Sequence, residues 1–510
     1  NLSYLTLPPI LFCLAWLPLT CLYARRFLLH RRSRDFALAS LFLGLQLLIG
    51  EPTTVLQTGF LLGMYALYRG WAERPRLGRS ARHVFSVALL SCCALLAGAV
   101  QILPALDLAR DSARSRPFAF SDVTAWSMPW AKLLELVYPN IFGHVAIDNV
   151  TSYWARDLYP RTNWSFLFSI YVSVVVLALA LGGALVRARG ARLVLLLVAA
   201  SSLAAAGGHT PLYRWLYDAR LLTATRYPEK FILVAVFALI VFAAQMFDRL
   251  LDGDDLLRRR VITVLLASAG IASALAAFSS TSLAAEAFEK VWGAPHGAAT
   301  LRMVELMRAD WLVAALRGAL FAMLIAQLRR KQRAGWLAAL AIAMVIDLAL
   351  VGHELTPRMP RRFFEPPPIA ATFPADRGAF RLFHEAEWYG VDTVARQYFS
   401  GGGAGHDYWL VRNGLFPATP AAASLRTVME RDYTKTALIP TVDFVDSVWE
   451  VQRSGRPGWP EPFLAMSNVW FVGDYRNFAV ERKRAGGDVE ATMPIRFRET
   501  AHYERYWFAN

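Results

Sequence analysis

Ten apolar runs constrain what this chain can fold into more than any other feature of its sequence. An α-helix rises about 1.5 Å per residue, so about 20 apolar residues cross roughly 30 Å of hydrocarbon. The runs near that length are 5–23, 36–50, 53–68, 84–106, 166–185, 193–206, 231–247, 261–278, 311–328 and 336–351. Only Glu51 and Pro52 separate the second run from the third, which predicts a tight hairpin. The pattern predicts an α-helical polytopic membrane protein with about ten transmembrane helices.

The composition agrees with this class of protein and excludes others. Hydrophobic residues make up 56% of the chain and charged residues 18%, which is too apolar for a soluble domain. The net charge of +15 does not indicate nucleic acid as a partner, because the arginines fall in short clusters between the apolar runs. The four cysteines lie inside apolar runs without metal-ligand spacing, so we interpret them as core residues.

Five arginine-rich clusters predict which side of the membrane each connection faces. They occupy every second connection, as the positive-inside rule requires of cytoplasmic loops, at 25–34, 69–82, 187–192, 249–260 and 329–333. We therefore place the loop 107–163, the stretch 226–230 and the C-terminal region outside. Within the loop, Ser121 is predicted to cap a helix start, and residues 131–138 are predicted to form an interfacial helix.

Three parts are predicted along the chain. A transmembrane domain covers 1–352 and includes the outer loop 107–163, a Pro-rich linker covers 353–369, and an extracytoplasmic α/β domain covers 370–510. In the last part the patterns predict strands at 379–383 and 469–472 and helices at 422–430 and 442–451. The glycine-rich run 400–405 has no strand before it and no helix after it, which favours a flexible turn over a nucleotide site.

One stretch, from Arg226 to Phe231, combines two cations, an aromatic ring and a proline at the first turn of an apolar helix. Free N–H groups and the positive end of the helix dipole favour an anion there. On the same predicted side, Arg110 and Arg114 follow the fourth apolar run. With Arg226 and Lys230 they would form a basic pocket that binds a polyprenyl phosphate. Alternatively, Arg226 and Lys230 only extend to the lipid headgroups and bind no specific ligand.

Two carboxylates on the predicted outer side, Glu51 and Asp107, are the candidates for a catalytic role. Glu51 could act as a general base or orient a sugar hydroxyl, or it could simply cap a helical hairpin at the interface. Asp107 lies one helical turn from Arg110, so the two could neutralise each other. The sequence contains no phosphate-loop, zincin or nucleophile-elbow motif, and it indicates no cofactor, although a divalent metal is left open.

Short motifs in a fixed order then give a resemblance to a known family. They are Asn1-Leu2-Ser3 leading to Ala15-Trp16-Leu17-Pro18-Leu19, Gly50-Glu51-Pro52-Thr53, Gln101-Ile102-Leu103-Pro104 with Ser112 and Arg114 after it, Val137-Tyr138-Pro139-Asn140-Ile141-Phe142-Gly143, and Arg226-Tyr227-Pro228-Glu229-Lys230-Phe231. In these motifs the chain resembles the bacterial YfhO-like membrane proteins, which are related to the family-C (GT-C) glycosyltransferases.

The resemblance implies a membrane glycosyltransferase with a GT-C-like arrangement in the bacterial inner membrane, surrounded by membrane lipids. Such an enzyme moves a sugar from a polyprenyl-phosphate donor to a cell-envelope glycan or lipid acceptor on the outer side. It also implies that this chain is a fragment that lacks both ends, with the catalytic carboxylate upstream of Asn1, so that no catalytic residue can be carried over. Position 51 departs from the family, because Glu51 stands where histidine is more often expected.

Two other classes of function stay open from the sequence. A lipid-linked glycan transporter or flippase would need polar residues along the middle of several helices. A non-catalytic envelope assembly protein would instead bind glycan or another protein through its outer domain.

Overall fold

The computed structural model describes residues 8–72, 77–144, 153, 158–159, 165–222, 225–292, 298–328, 333–355, 361–384, 412, 415, 420–429, 437–454, 461–474, 481–485, 488–492 and 496–499. The chain divides into two compact units. The first comprises Asn1–Leu106, Pro117–His144 and Tyr153–Thr356, and the second comprises Asp107–Arg116, Val145–Ser152 and Pro357–Asn510.

The described residues before 356 form α1 Pro8–His30, α2 Ser33–Leu48, α3 Pro52–Ala72, α4 Leu77–Ala97, α5 Ala99–Asp111, α6 Phe120–Val123, α7 Val174–Leu185, α8 Ala191–Ala206, α9 Pro211–Asp218, α10 Ile232–Leu251, α11 Asp255–Phe278, α12 Leu283–Trp292, α13 Ala298–Gln327 and α14 Arg333–Glu354. Within the described residues, seven helical segments are long and apolar enough to cross a membrane. The prediction of a mostly helical, polytopic membrane protein is therefore confirmed. The described residues contain seven candidate crossings, whereas the apolar runs predicted about ten.

Two of the predicted runs are not continuous helices. The run 84–106 is interrupted at Gly98, where an added Cβ would lie 2.9 Å from the Cβ of Leu47. The run 166–185 is helical only from Val174 onward. Residues 166–173 are nevertheless largely buried, and the phenol oxygen of Tyr171 accepts a hydrogen bond from the Val174 N–H at the helix start. An apolar run can therefore mark extended chain buried inside protein as well as a membrane span.

The two largest apolar cores among the described residues of the first unit join different sets of helices. One core joins α1, α2, α3 and α4 through small and aliphatic residues such as Ala24, Leu43 and Ala94. The other joins α7, α10, α11 and α13, where an added Cβ at Gly183 would overlap Met246 on α10. Small residues at these positions allow the helix backbones to approach closely, which is the usual way in which helices associate in lipid.

The segment predicted as an interfacial helix differs from expectation. It forms a 3-10 helix, Trp130–Leu136, in which Lys132 and Glu135 are buried while Leu134 is exposed. The polar pair therefore points into the protein, which is the reverse of an amphipathic helix lying on a membrane surface. The prediction that Ser121 caps a helix is wrong, because α6 begins after Ala119 and has no side-chain cap.

The second unit contains α15 Ile439–Arg453, α16 Glu461–Met466 and the strands β1 Arg381–His384, β2 Val469–Asp474, β3 Glu481–Ala485, β4 Asp488–Thr492 and β5 Arg496–Glu499. β2 pairs in parallel with β1 and antiparallel with β5, and β3 pairs with β4. The predicted strands at 379–383 and 469–472 and the predicted helix at 442–451 are confirmed.

The helix predicted at 422–430 is wrong. Residues 420–423 form a 3-10 turn, and the chain then runs beside β1. The Leu382 N–H donates to the Arg426 carbonyl, and the Val428 N–H donates to the Leu382 carbonyl. Backbone pairing with β1 therefore outweighs the helix propensity of this segment. The glycine-rich run 400–405 lies outside the described residues.

Candidate functional site

The stretch from Arg226 to Phe231 is a sharp turn into α10. Tyr227 has φ of +66°, in the left-handed region, and Pro228 begins a 3-10 turn over Pro228–Phe231. The Glu229 N–H donates to the carbonyl of Trp126, so the turn is tied to the outer loop. Gly207 at the end of α8 also has a positive φ of +50°, and an added Cβ there would lie 2.8 Å from Pro228. The backbone on both sides of the turn is therefore fixed.

Glu229 lies at the centre of a fully buried polar cluster. One of its carboxylate oxygens accepts a hydrogen bond of 2.9 Å from the Phe166 N–H. Nearby, the Lys132 ammonium donates to the Glu135 carboxylate at 2.6 Å, and both side chains are at most 1% exposed. The Tyr153 phenol, also buried, lies 2.7 Å from the Ser165 hydroxyl. These groups join the outer loop, the extended chain before α7 and the start of α10.

The charges of this cluster do not balance when both carboxyls are ionised. Burial raises the pKa of Glu135 to about 7, although Lys132 opposes the shift. Burial alone would lower the pKa of Lys132, but Glu135, Tyr153 and Glu229 together raise it. One ammonium thus faces two carboxyl groups in a buried environment, which favours the protonated form of Glu135 relative to a carboxyl in water.

Lys230 belongs to a second, more accessible group of charges. Its ammonium lies 3.3 Å from the Glu51 carboxylate, with side-chain exposures of 12% and 14%. The side-chain amide of Gln57 donates to the Lys230 carbonyl at 3.0 Å. Glu51, directly before α3, and Gln57, near the start of α3, therefore both contact Lys230 in the turn before α10. Glu51 and Lys230 are 179 positions apart in the sequence.

Aromatic rings surround this ion pair. Tyr227 stacks on Phe166 with centroids 5.3 Å apart and meets the edge of Trp126 at 4.6 Å. The Lys230 ammonium lies 5.3 Å from the centroids of both Phe166 and Tyr227. The guanidinium of Arg226 lies 5.1 Å from the Tyr227 centroid. Two cations and a carboxylate are thus arranged around one aromatic cluster, a combination that suits a phosphate next to a sugar or a prenyl chain.

The predicted site residues fall into both units. Glu51, Arg226 and Lys230 belong to the first unit and lie together as described, whereas Asp107, Arg110 and Arg114 belong to the second. Within the second unit all three side chains are exposed, and no ion pair joins Asp107 to Arg110 in the part of the chain described. The four-cation pocket of Arg110, Arg114, Arg226 and Lys230 stays a prediction.

The buried cluster of Lys132, Glu135 and Glu229 was not predicted from the sequence. Glu229 lies inside the stretch from Arg226 to Phe231. However, Arg226 and Lys230 were the residues of this stretch selected from the sequence, and Glu229 was not. Lys132 and Glu135 are three residues apart in a segment rich in leucine and aromatic residues. A lysine and a glutamate at this spacing within an otherwise apolar segment are the signal that could have identified a buried pair.

Two further polar groups lie in the first unit. Asp310 on α13 accepts hydrogen bonds from the Asn140 amide and contacts the His144 ring at 2.8 Å. Arg317, deeper along α13, pairs at 2.7 Å with Asp347 on α14. Across the described ranges, no group of three His, Cys, Asp or Glu side chains could hold a metal ion.

Comparison of the chain with protein-family models, with curated proteins and with solved structures finds no match in any of the three. The site is therefore interpreted from its own geometry.

Proposed function

We propose that this protein is a membrane glycosyltransferase that takes a sugar from a polyprenyl-phosphate donor and transfers it to a cell-envelope acceptor on the outer side. The observation that carries the proposal is the ion pair of Lys230 with Glu51, set among Tyr227, Phe166 and the Arg226 guanidinium. It combines phosphate-binding cations, a carboxylate and aromatic surface in one place.

The phosphate would bind by replacing the Glu51 carboxylate as the partner of the Lys230 ammonium. The Lys230 ammonium lies 3.3 Å from a Glu51 carboxylate oxygen and its side chain remains 12% exposed, so an incoming phosphate can compete for the ammonium. The Arg226 guanidinium lies 5.1 Å from the centroid of the same Tyr227 ring and offers a planar set of donors for a second phosphate oxygen. The aromatic rings provide surface for the sugar or for the first prenyl unit.

Exchange at Lys230 would also release Glu51 for chemistry. The acceptor hydroxyl oxygen attacks the anomeric carbon, the bond from that carbon to the phosphate oxygen breaks, and polyprenyl phosphate leaves with the bonding electron pair. Glu51 accepts the hydroxyl proton as general base. Lys230 and Arg226 stabilise the negative charge that develops on the leaving phosphate. Asp107 remains the other candidate base.

The test is donor binding and turnover by the full-length protein in nanodiscs. Arg226→Ala and Lys230→Ala are each expected to weaken polyprenyl-phosphate binding more than tenfold, equivalent to about 1.4 kcal/mol. Arg259→Ala, an exposed arginine on α11, is the matched control and should bind as the wild type does. Glu51→Gln should retain binding and lose turnover. Binding that is indifferent to both changes would leave the envelope assembly protein as the better proposal.

Lipid-linked glycan transport is a second candidate, favoured by the Arg317–Asp347 pair inside two candidate spans. Charged groups at membrane depth are costly and often mark a transport pathway. Sealed proteoliposomes with labelled lipid-linked sugar and no acceptor discriminate the two functions. A transporter exposes the label on the opposite leaflet, and Arg317→Met abolishes this movement, whereas a transferase gives no movement under these conditions.

A further inference from the structure

A basic cavity lies between the end of α3 and the turn that connects α7 to α8. Its lining includes Tyr68 and Trp71 from α3 and Arg187, Arg189 and Arg192 from the turn and the start of α8. The cavity volume is about 780 Å³. This lies in the range of roughly 300–1,000 Å³ that small-molecule sites occupy.

The three arginines have no counter-charge among the residues that the structure describes. Their side chains are exposed, and no hydrogen bond or ion pair of Arg187, Arg189 or Arg192 side chains occurs within the described part of the chain. Other arginines of the same predicted membrane side are neutralised, since Arg249 pairs with Asp254 and Arg258 with Asp255. Three unpaired guanidinium groups around one cavity therefore concentrate positive charge in a place that can admit a ligand.

The backbone adds to this attraction. α8 begins at Ala191 after Gly190, which has φ of +93°, and its N-terminus has no side-chain cap. The positive end of the helix dipole thus faces the same connection that carries the arginines. Trp71 is 60% exposed, and a tryptophan at the end of an apolar helix is typical of the headgroup level of a bilayer.

We propose that this cavity binds the phosphate headgroup of an anionic glycerophospholipid from the leaflet at this end of the helices. The arginine distribution predicts this leaflet to be the cytoplasmic one, whereas the proposed donor site at Lys230 lies at the opposite predicted side. The arginines and the uncapped helix bind the phosphate, and Tyr68 and Trp71 contact the glycerol and the upper acyl chains. A free phosphate ion shares only the first of these contacts.

The experiment is native mass spectrometry of the purified full-length protein with phosphatidylglycerol or phosphatidylcholine added at equal concentration. We expect the wild type to bind more phosphatidylglycerol than phosphatidylcholine. The double variant Arg187→Gln/Arg192→Gln should lose most of this preference, because each removed arginine lowers the affinity roughly fivefold. The control Arg259→Gln/Arg260→Gln removes two exposed arginines on the same predicted side but outside the cavity, and it should keep the preference.

Further measurements keep the proposal testable if the double variant does not fold. We expect the single variants Arg187→Gln and Arg189→Gln each to lose part of the preference for phosphatidylglycerol. Inorganic phosphate at about tenfold excess over the lipid should displace little phosphatidylglycerol, because it lacks the contacts to Tyr68 and Trp71. Full displacement by phosphate, or an equal loss of preference in the control double variant, would overturn the assignment to a phospholipid.

Discussion

Lys132 and Lys230 lie in the same unit and each pairs with a glutamate, yet the two ion pairs differ in almost every physical respect. Lys132 is fully buried and meets Glu135 at 2.6 Å. Lys230 is 12% exposed, meets Glu51 at 3.3 Å and lies 5.3 Å from the centroids of the Phe166 and Tyr227 rings. The first pair cannot exchange its partner without exposing a buried charge, whereas the second can accept a new anion at little cost.

One region of the first unit therefore contains both a buried, fixed ion pair and a partly exposed ion pair that can exchange its partner. The buried cluster fixes the outer loop, the chain before α7 and the turn into α10, and the accessible pair lies directly beside it on the same turn. Glu229 and Lys230 are adjacent in sequence, but the left-handed Tyr227 and the 3-10 turn that follows direct them to different environments. Substitutions in the two ion pairs can test whether the buried pair contributes more to stability than the accessible pair does.

The largest effect is expected from Lys132→Met. The change leaves Glu135 and Glu229 buried without a cation, and breaking a buried pair by removing one partner costs about 3–5 kcal/mol of unfolding free energy. The measurement is the thermal unfolding midpoint in detergent. The double variant Lys132→Met/Glu135→Leu should recover part of the loss because fewer charges remain buried. A midpoint equal to that of the wild type would show that the pair has no structural role.

A smaller effect should appear as pH dependence in the Glu135→Gln variant. Because the pKa of Glu135 is raised to about 7 in the folded protein, ionising it costs stability. This loss of stability is absent below the pKa that Glu135 has in the unfolded chain, and it grows as pH rises. Above the pKa of Glu135 in the folded protein it reaches about 3 kcal/mol. The wild type should therefore lose more stability than Glu135→Gln between about pH 5 and about pH 8, since in the variant Glu229 is the carboxyl of the cluster that stays buried. Parallel curves for the two proteins would contradict the shift.

Lys230→Met should change stability by only about 1 kcal/mol, because a partly exposed pair contributes little. Its effect on polyprenyl-phosphate binding should be larger than its effect on unfolding, which is the opposite of what Lys132→Met gives. Both quantities can be measured on one preparation, by thermal unfolding and by lipid titration in nanodiscs. A stability loss as large as that of Lys132→Met would remove the distinction between the two pairs.

The smallest stability change is expected for Arg226→Ala. The guanidinium packs against the rings of Phe118 and Tyr227 at 5.0 and 5.1 Å, and such contacts contribute about 0.5–1 kcal/mol. Arg226→Lys should keep the charge but lose the planar donors, so its phosphate affinity should fall between those of the wild type and Arg226→Ala. Equal affinities of the lysine variant and the wild type would indicate that charge alone is recognised.

Most of the helices could be predicted from the sequence, because a lipid environment requires long apolar segments with internally bonded backbone. The extended chain at 166–173 could not, since burial inside protein produces the same apolar composition. Arg226 and Lys230 could be selected from the sequence as candidate phosphate ligands, because the electrostatics of a helix end is local. Glu51 was named from the sequence as a carboxylate on the same predicted side, but its contact with Lys230 could not be predicted, because the two residues lie 179 positions apart and no local pattern joins them.

The pair of Arg317 and Asp347 has a consequence for how the protein enters its membrane. During synthesis α13 emerges before α14, so Arg317 leaves the ribosome without the carboxylate that neutralises it in the folded protein. A single arginine at the centre of an inserting helix costs about 2.5–3.5 kcal/mol on translocon scales. We therefore expect α13 to wait at the translocon until α14 has been made, so that the two helices enter the lipid together as one hairpin.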